Sequence, residues 1–206
     1  MKKTILAAIT FMLALGTSIA TAQEQQSLTV GVSPVGSIHA NISLDNEEYK
    51  YNYESYWNVN LGYEGQFHGH VTLTEVTYAK AKFESYELTG NSQWFNPAQQ
   101  EDVTDIALTT YYGRTIFPGK RVQLPLYIGI GGEYIKGGPL HNLAFDVAAK
   151  ARLKFYISNS FGIYAGATGR WGFGAKSASE KSSSSTKMYS VIPSTLAFDA
   201  GIIISL

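Results

Sequence analysis

Tyr189–Leu206, YSVIPSTLAFDAGIIISL, decides the fold. Counted back from the carboxyl end, Leu206, Ile204, Ile202, Ala200 and Phe198 occupy every second position, with Ser205, Gly201 and Asp199 between them. A period of two means a strand with two chemically different faces. The chain stops inside this strand, so it needs an earlier partner at once. Closing a barrel against the first strand is the simplest solution, because closure removes free edges.

Working outward from that stretch, the amino end reads Met1-Lys2-Lys3, an apolar run from Ile5 to Leu15, and Ala20-Thr21-Ala22 ahead of Gln23. A basic start, a short apolar run and a small-x-small site predict a secretory signal peptide over residues 1–22, cleaved after Ala22, with Sec-dependent export. The run is shorter than the ~20 residues that span a bilayer as a helix. Residues 23–206 then form one domain, a barrel. The absence of cysteine excludes a lipoprotein anchor, disulfides and thiolate metal sites.

The whole chain carries 16 basic and 16 acidic residues, and the leader takes Lys2 and Lys3 with it, leaving the remainder acidic by two charges. Nothing in this balance suggests a nucleic-acid partner, which would need a basic face. Charged residues are 16% of the chain, against about 25% in soluble domains, while it holds 14 Tyr and 20 Gly. Such a composition suits an all-β wall with one apolar face.

Seven further strands precede the last. The first is Leu28 to His39, with Leu28, Val30, Val32 and Ile38 on one face and Pro34 marking a bulge. Ala40 to Glu54 reads as a polar loop. In the second strand, Tyr56 to Phe67, Trp57, Val59, Leu61, Tyr63, Gly65 and Phe67 alternate with Asn58, Asn60, Gly62, Glu64 and Gln66. His68-Gly69-His70 turns into the third, Val71 to Phe83, with a register shift expected near Glu75. A loop follows from Glu84 to Asp102. The fourth strand, Val103 to Phe117, turns at Pro118-Gly119-Lys120 into the fifth, Val122 to Tyr134. After Gly137-Gly138-Pro139 comes the sixth, Asn142 to Ile157, with Leu143, Phe145, Val147, Ala149, Ala151, Leu153 and Phe155 on one face and Asp146, Lys150, Arg152 and Lys154 on the other. Ser158-Asn159-Ser160 leads to the seventh, Phe161 to Phe173, and the serine-rich Gly174 to Lys187 is the last loop. Alternation of short turns with longer connections is the pattern of an outer-membrane barrel, with tight periplasmic turns, longer outer loops and both termini on the periplasmic side.

The predicted fold is therefore an all-β, eight-stranded antiparallel up-and-down transmembrane barrel. Aromatics near strand ends, Phe67, Phe117, Tyr134, Phe155, Phe161, Trp171 and Phe173, supply interfacial girdles. With the apolar face toward lipid, Glu64, Glu75, Glu133, Asp146, Lys150, Arg152, Arg170 and Asp199 point inward, and Asp199 is expected to meet Arg170 or a similar partner. An eight-stranded interior is just wide enough for side chains to fill it. Buried charges must be paired, so these residues predict a structural polar plug. A proton or ion path through them is the competing, less favoured reading.

Four histidines could carry chemistry. His68 and His70 flank a turn glycine without further ligands, so no metal site is predicted. His39 and His141 fall at the outer rim, where a lipid-modifying enzyme would place a His with a Ser and an acid, yet no local spacing assembles such a set. Among exposed aromatics, Trp94 and Phe95 in the loop after the third strand are candidate surface contacts. Tyr49, Tyr51, Tyr53 and Tyr56 lie around the first loop, and Tyr53 and Tyr56 read best as interfacial belt residues.

RVQLPLYIGIGG (Arg121 to Gly132), ARLKFYISNSFGIYAGATGRWGFG (Ala151 to Gly174) and the closing FDAGIIISL resemble the small outer-membrane β-barrel proteins of Gram-negative bacteria, the OmpX-like barrels, and the RVQLPL start followed by a glycine-bearing strand is similar to the PorT-like group. The resemblance implies outer-membrane location and assembly by the barrel-insertion machinery, with no single activity shared across the family. Its last strand usually ends in an aromatic residue, from which Leu206 departs. The expected role is non-enzymatic, structural in the envelope or binding at the surface, without cofactor. Outer-membrane lipid and lipopolysaccharide are the expected surroundings, with an unidentified extracellular or envelope protein ligand at the loops. A lipid A deacylase or acyltransferase and a small-solute channel are the alternatives.

Overall fold

The computed structural model describes residues 25–44, 47–89, 101–137, 142–179 and 186–206. Eight strands follow in chain order: β1 (Gln25–Leu44), β2 (Glu47–Phe67), β3 (His70–Thr89), β4 (Val103–Ile116), β5 (Val122–Lys136), β6 (Asn142–Tyr156), β7 (Phe161–Ser179) and β8 (Thr186–Ser205). Each pairs with its sequence neighbours, and β1 pairs antiparallel with β8, so the sheet is a closed up-and-down barrel. The last strand is its seam. Leu28 lies opposite Ile204 and Val32 opposite Ala200, and the Leu206 N–H donates to the Gln26 carbonyl at 2.9 Å.

The alternation sorts the wall as the physics requires. Leu61, Ile128, Leu153, Ile163, Phe198 and Ile202 face outward and are exposed, whereas Glu64, Glu75, Asp105, Arg152 and Asp199 face inward and are buried. Polar inside and apolar outside inverts the order of a soluble protein and is the order needed by a barrel that crosses lipid, where every backbone polar group is already paired in the wall. Phe67, Phe117, Phe155 and Phe161 ring the end that carries the tight turns, and Trp57, Tyr78, Trp171 and Phe173 ring the belt toward the other end. The β2–β3 connection is the two-residue turn His68-Gly69, both with positive φ (48° and 79°), as a hairpin of this length demands.

Several expectations are corrected. Ala40 to Glu54 is not a loop: β1 continues to Leu44 and β2 starts at Glu47. β3 likewise runs on to Thr89, β7 to Ser179, and β8 begins at Thr186. The outer connection between β1 and β2 is therefore short, and the asymmetry of the two ends lies in the extended strands together with the long connection between β3 and β4. The cause is that the two-residue period persists beyond the belt with its sense reversed. There Ile42, Tyr49, Tyr51 and Tyr53 point inward and are buried, while Asn41, Lys50 and Glu54 point to solvent. The tyrosines expected at the surface or in the belt are thus core residues of the raised arms.

Two β-bulges make that reversal. In the β1–β8 ladder the register shifts between Val32 and Val35, around Pro34, so Val32 is 54% exposed and Ile38 wholly buried although both were read on one face. In β2 the β3 ladder shifts between Glu54 and Trp57, and Ser55 there has φ 50°. No shift occurs at Glu75; β3 pairs with β4 without a break from His70 to Ala81. Val71 and Leu73 are out of phase with Val76 and Tyr78 simply because they pack inside, against Tyr111, Tyr127 and Ala148.

Candidate functional site

The lumen holds every inward-facing residue named above. Lys150 and Arg152, both from β6, converge on Glu75 of β3, and Arg152 also reaches Asp199 of β8 at 3.4 Å. Below them Lys154 pairs with Glu64, which also accepts a hydrogen bond from the Tyr127 hydroxyl at 2.7 Å. Above them Arg170 of β7 pairs with Asp105, with Glu133 at 2.9 Å and with Asp146 at 3.6 Å, and Thr109 donates to Asp146 at 3.2 Å. All of these side chains are closed to solvent. The partner of Asp199 is Arg152, not Arg170.

Two members of this network escaped the sequence reading. Asp105 sits on β4, whose inward series Val103, Asp105, Ala107, Thr109 and Tyr111 differs little in polarity from its outward series, so no face could be chosen. Lys154 was placed on the charged face of the sixth strand but not among the inward residues. The barrel wall supplies the reason for both: each ion pair joins strands far apart in sequence, and only closure brings them together.

Above the charges the raised arms fill the lumen with an apolar cluster that includes Ile38, Ile42, Tyr49, Tyr53, Tyr56, Val103, Ile135 and Val191. A small cavity of about 20 Å³ remains between Tyr56, Asn60, Glu75 and Arg170. That volume suits about one water molecule. At the tight-turn end Tyr156, Tyr164 and Ile203 pack together. The lumen is thus filled in layers, and among the described residues no group of three His, Cys, Asp or Glu is placed to hold a metal ion.

A second polar constellation lies on the outside of the wall. His39 of β1 stands opposite Asn52 of β2, and its Nδ1 lies 2.8 Å from Asn52 Oδ1. Because an amide oxygen only accepts, Nδ1 carries the proton, and Nε2 is left to accept from Ser37 Oγ at 3.2 Å. Asn52 Nδ2 donates onward to Ser85 Oγ at 3.1 Å, and Ser194 Oγ donates to the His39 carbonyl at 3.3 Å. Glu84 shares a hydrogen bond with Glu54 on the same outer face. Ser37, two residues away on the same outward face, gives His39 a hydroxyl neighbour, and the third place is held by the Asn52 amide and not by the acid of the set considered from the sequence. His70 contacts the Tyr112 hydroxyl at 2.6 Å, and His68 packs against Phe67. Trp94, Phe95 and His141 lie outside the described residues.

No family model matches the chain, and no curated protein does. Among solved structures it is similar to Neisserial surface protein A, at 12% identity over 87% of this chain and 96% of that one, with a TM-score of 0.45. It is also similar to the outer membrane protease OmpT from Escherichia coli, at 7% identity over 89% and 97%, TM-score 0.44. A third likeness is to Ail, the attachment invasion locus protein of Yersinia pestis, at 15% identity over 88% and 99%, TM-score 0.39.

Proposed function

We propose that this protein is an integral outer-membrane β-barrel whose filled lumen conducts nothing, and that it works through its outer surface and raised rim in an envelope-structural or surface-binding role. The observation that carries the reading is the polarity of the closed wall, apolar outside and paired charge inside. Export through the Sec route, termini in the periplasm, insertion by the barrel-insertion machinery and contact with lipopolysaccharide are parts of the same proposal. The paired terminal residues lie at the tight-turn end, which supports that orientation.

The layered lumen supports the closed reading over the channel. Four buried bases, Lys150, Arg152, Lys154 and Arg170, are each held by at least one carboxylate, with the apolar cluster of the arms above them. Such pairs act as a brace between opposite walls, since a charge left alone there would be costly. Heat-modifiable migration on a gel and recovery in the outer-membrane fraction are the expected results. A protein recovered soluble in the periplasm would end the membrane reading, and steady single-channel conductance in a planar bilayer would end the closed-lumen part. The Ser37–His39–Asn52 chain favours a second activity on the outer face of the same barrel.

A further inference from the structure

We propose that Ser37, His39 and Asn52 form an acyl-ester hydrolysis site on the outward face of the barrel, acting on the ester-linked acyl chains of envelope lipid. The proposal rests on the outer-membrane reading above and adds an activity to it. Three observations carry it. The hydrogen-bond chain runs from hydroxyl to imidazole to side-chain amide, with Nδ1 protonated toward Asn52 and Nε2 turned to Ser37. This is the order of nucleophile, base and orienting group that recurs on unrelated folds, including with an amide in the third place.

Its position is the second observation. Ser37 lies next to the bulge, at the level where the outward face changes from apolar to polar. Val35, Trp57 and Phe198 are exposed on one side of it, Leu196 lies opposite it, and Asn41, Lys50 and Glu54 are exposed on the other, where Ile192 beside Asn41 is an apolar exception. An amphiphile lying against this wall would set its acyl chains on the apolar residues and its ester carbonyls near Ser37. A soluble ester has no comparable reason to stop there.

The third is the wall itself. Between Ser33↔Asn58 and Ile38↔Tyr53 the β1–β2 ladder lapses, so residues 34–37 face residues 54–57 without Cα pairing. Ser55 and Tyr56 are unpaired toward β3 as well, and Ser55 holds a positive φ. Irregular backbone of this kind is concentrated at functional sites.

The chemistry balances without a cofactor. Ser37 Oγ attacks the ester carbonyl as His39 Nε2 takes its proton; the tetrahedral intermediate collapses, the C–O bond to the alcohol breaks, and His39 returns the proton to the leaving alkoxide. Water then attacks the acyl-serine with His39 as base, freeing a fatty acid and restoring the hydroxyl. Asn52 is a positioning residue, since it acts through the imidazole.

The test uses the full-length exported protein, refolded to its heat-modifiable form and placed in two kinds of vesicle, phosphatidylethanolamine alone and phosphatidylethanolamine with lipopolysaccharide. Released fatty acid is read by mass spectrometry, and an alkyl fluorophosphonate reports on Ser37. Expected are fatty-acid release from one vesicle type or both, which identifies the lipid source, and a label on Ser37. Ser37→Ala abolishes both, and His39→Ala lowers turnover about 10²- to 10⁴-fold. Asn52→Ala lowers kcat about tenfold or more with KM unchanged, and Asn52→Asp restores it. Heat-modifiable protein that releases no fatty acid and takes no label overturns the site and leaves the barrel standing, as does Ser37→Ala hydrolysing like the parent. Protein that never becomes heat-modifiable and stays soluble removes the membrane reading and this proposal with it.

Discussion

The Arg152 guanidinium meets the Glu75 carboxylate across the lumen, joining β6 to β3 with both side chains closed to solvent. Lys150 shares that carboxylate, so Glu75 holds two cations that β6 alone would push apart. Glu75→Ala leaves Lys150 without an ion-pair partner and Arg152 with Asp199 only. The expected loss is about 3–5 kcal/mol, the cost of an uncompensated buried charge. Replacing the pair together, as Glu75→Leu with Lys150→Met, should recover most of that loss, because a well-packed apolar pair is often neutral beside a buried ionic one. Urea unfolding in detergent micelles, followed by the gel shift, measures both. A single substitution as stable as the parent would remove the bracing role.

Gly172 and Glu133 make a second such contact. A Cβ added to Gly172 would overlap Glu133 Oε1 and come within 2.7 Å of Pro193 Cγ. Gly172→Ala is therefore expected to displace Glu133 from Arg170, its partner at 2.9 Å, and to cost about 1–3 kcal/mol by overpacking. Gly132→Ala on β5, next to Glu133 itself, is the control, since its nearest new contact would be ordinary, 3.7 Å from the Ala144 carbonyl. Midpoint urea concentrations should fall for the first substitution and stay for the second. Equal midpoints would show that Glu133 contributes nothing through this geometry.

The belt can be tested by depth. Ile128 is 71% exposed on the outside of β5, between Tyr112 of β4 and Ala149 of β6. In lipid, Ile128→Arg should cost about 2–4 kcal/mol, whereas Asn41→Arg on the solvent side of the raised β1 arm should cost close to nothing. Were the barrel soluble, Ile128→Arg would improve it. Refolding equilibria into phospholipid vesicles, read by the heat-modifiable band, separate the two outcomes.

How much of this was legible follows from where each residue's information lies. β8 could be read because lipid and lumen impose opposite demands on adjacent residues, so Phe198, Asp199 and Ala200 state their own orientation. The same holds for Lys150 and Arg152 on β6. Asp105 could not be read, because Val103, Ala107 and Tyr111 around it would suit either face. Partners were hidden as well, since Arg152 finds Glu75 through barrel closure, across 77 residues. The outer arms were misread for one reason: Ala40 to Glu54 shows polar residues to water and apolar ones to the lumen, which looks like a mixed loop until the reversal at the bulges is known. His39 and Asn52 meet through the β1–β2 register, which is the same below and above the bulges, but both turn outward there only because each strand carries its own bulge.

That reversal gives the sharpest prediction. Between Val32 and Val35, β1 advances three residues while β8 advances two, from Ala200 to Phe198, so one extra residue turns the rest of the arm over. Deleting Pro34 removes it. Every side chain above the deletion is then expected to change sides, with Ile38 outward and Ser37 and His39 toward the lumen, while the belt residues Leu28, Val30 and Val32 keep their places. The chain has no cysteine, so single cysteines report this cleanly. In the parent barrel His39→Cys should react with a membrane-impermeant maleimide and Ile38→Cys should not; in the Pro34 deletion the two should exchange behaviour. The inverted arm would also carry Ile38, Ala40 and Ile42 out of the apolar cluster, lowering stability by several kcal/mol at about 1.5–3 kcal/mol for each large side chain exposed. Unchanged reactivity at His39→Cys after the deletion would mean that the arm takes its orientation from β2 and its Ser55 bulge instead of from β1.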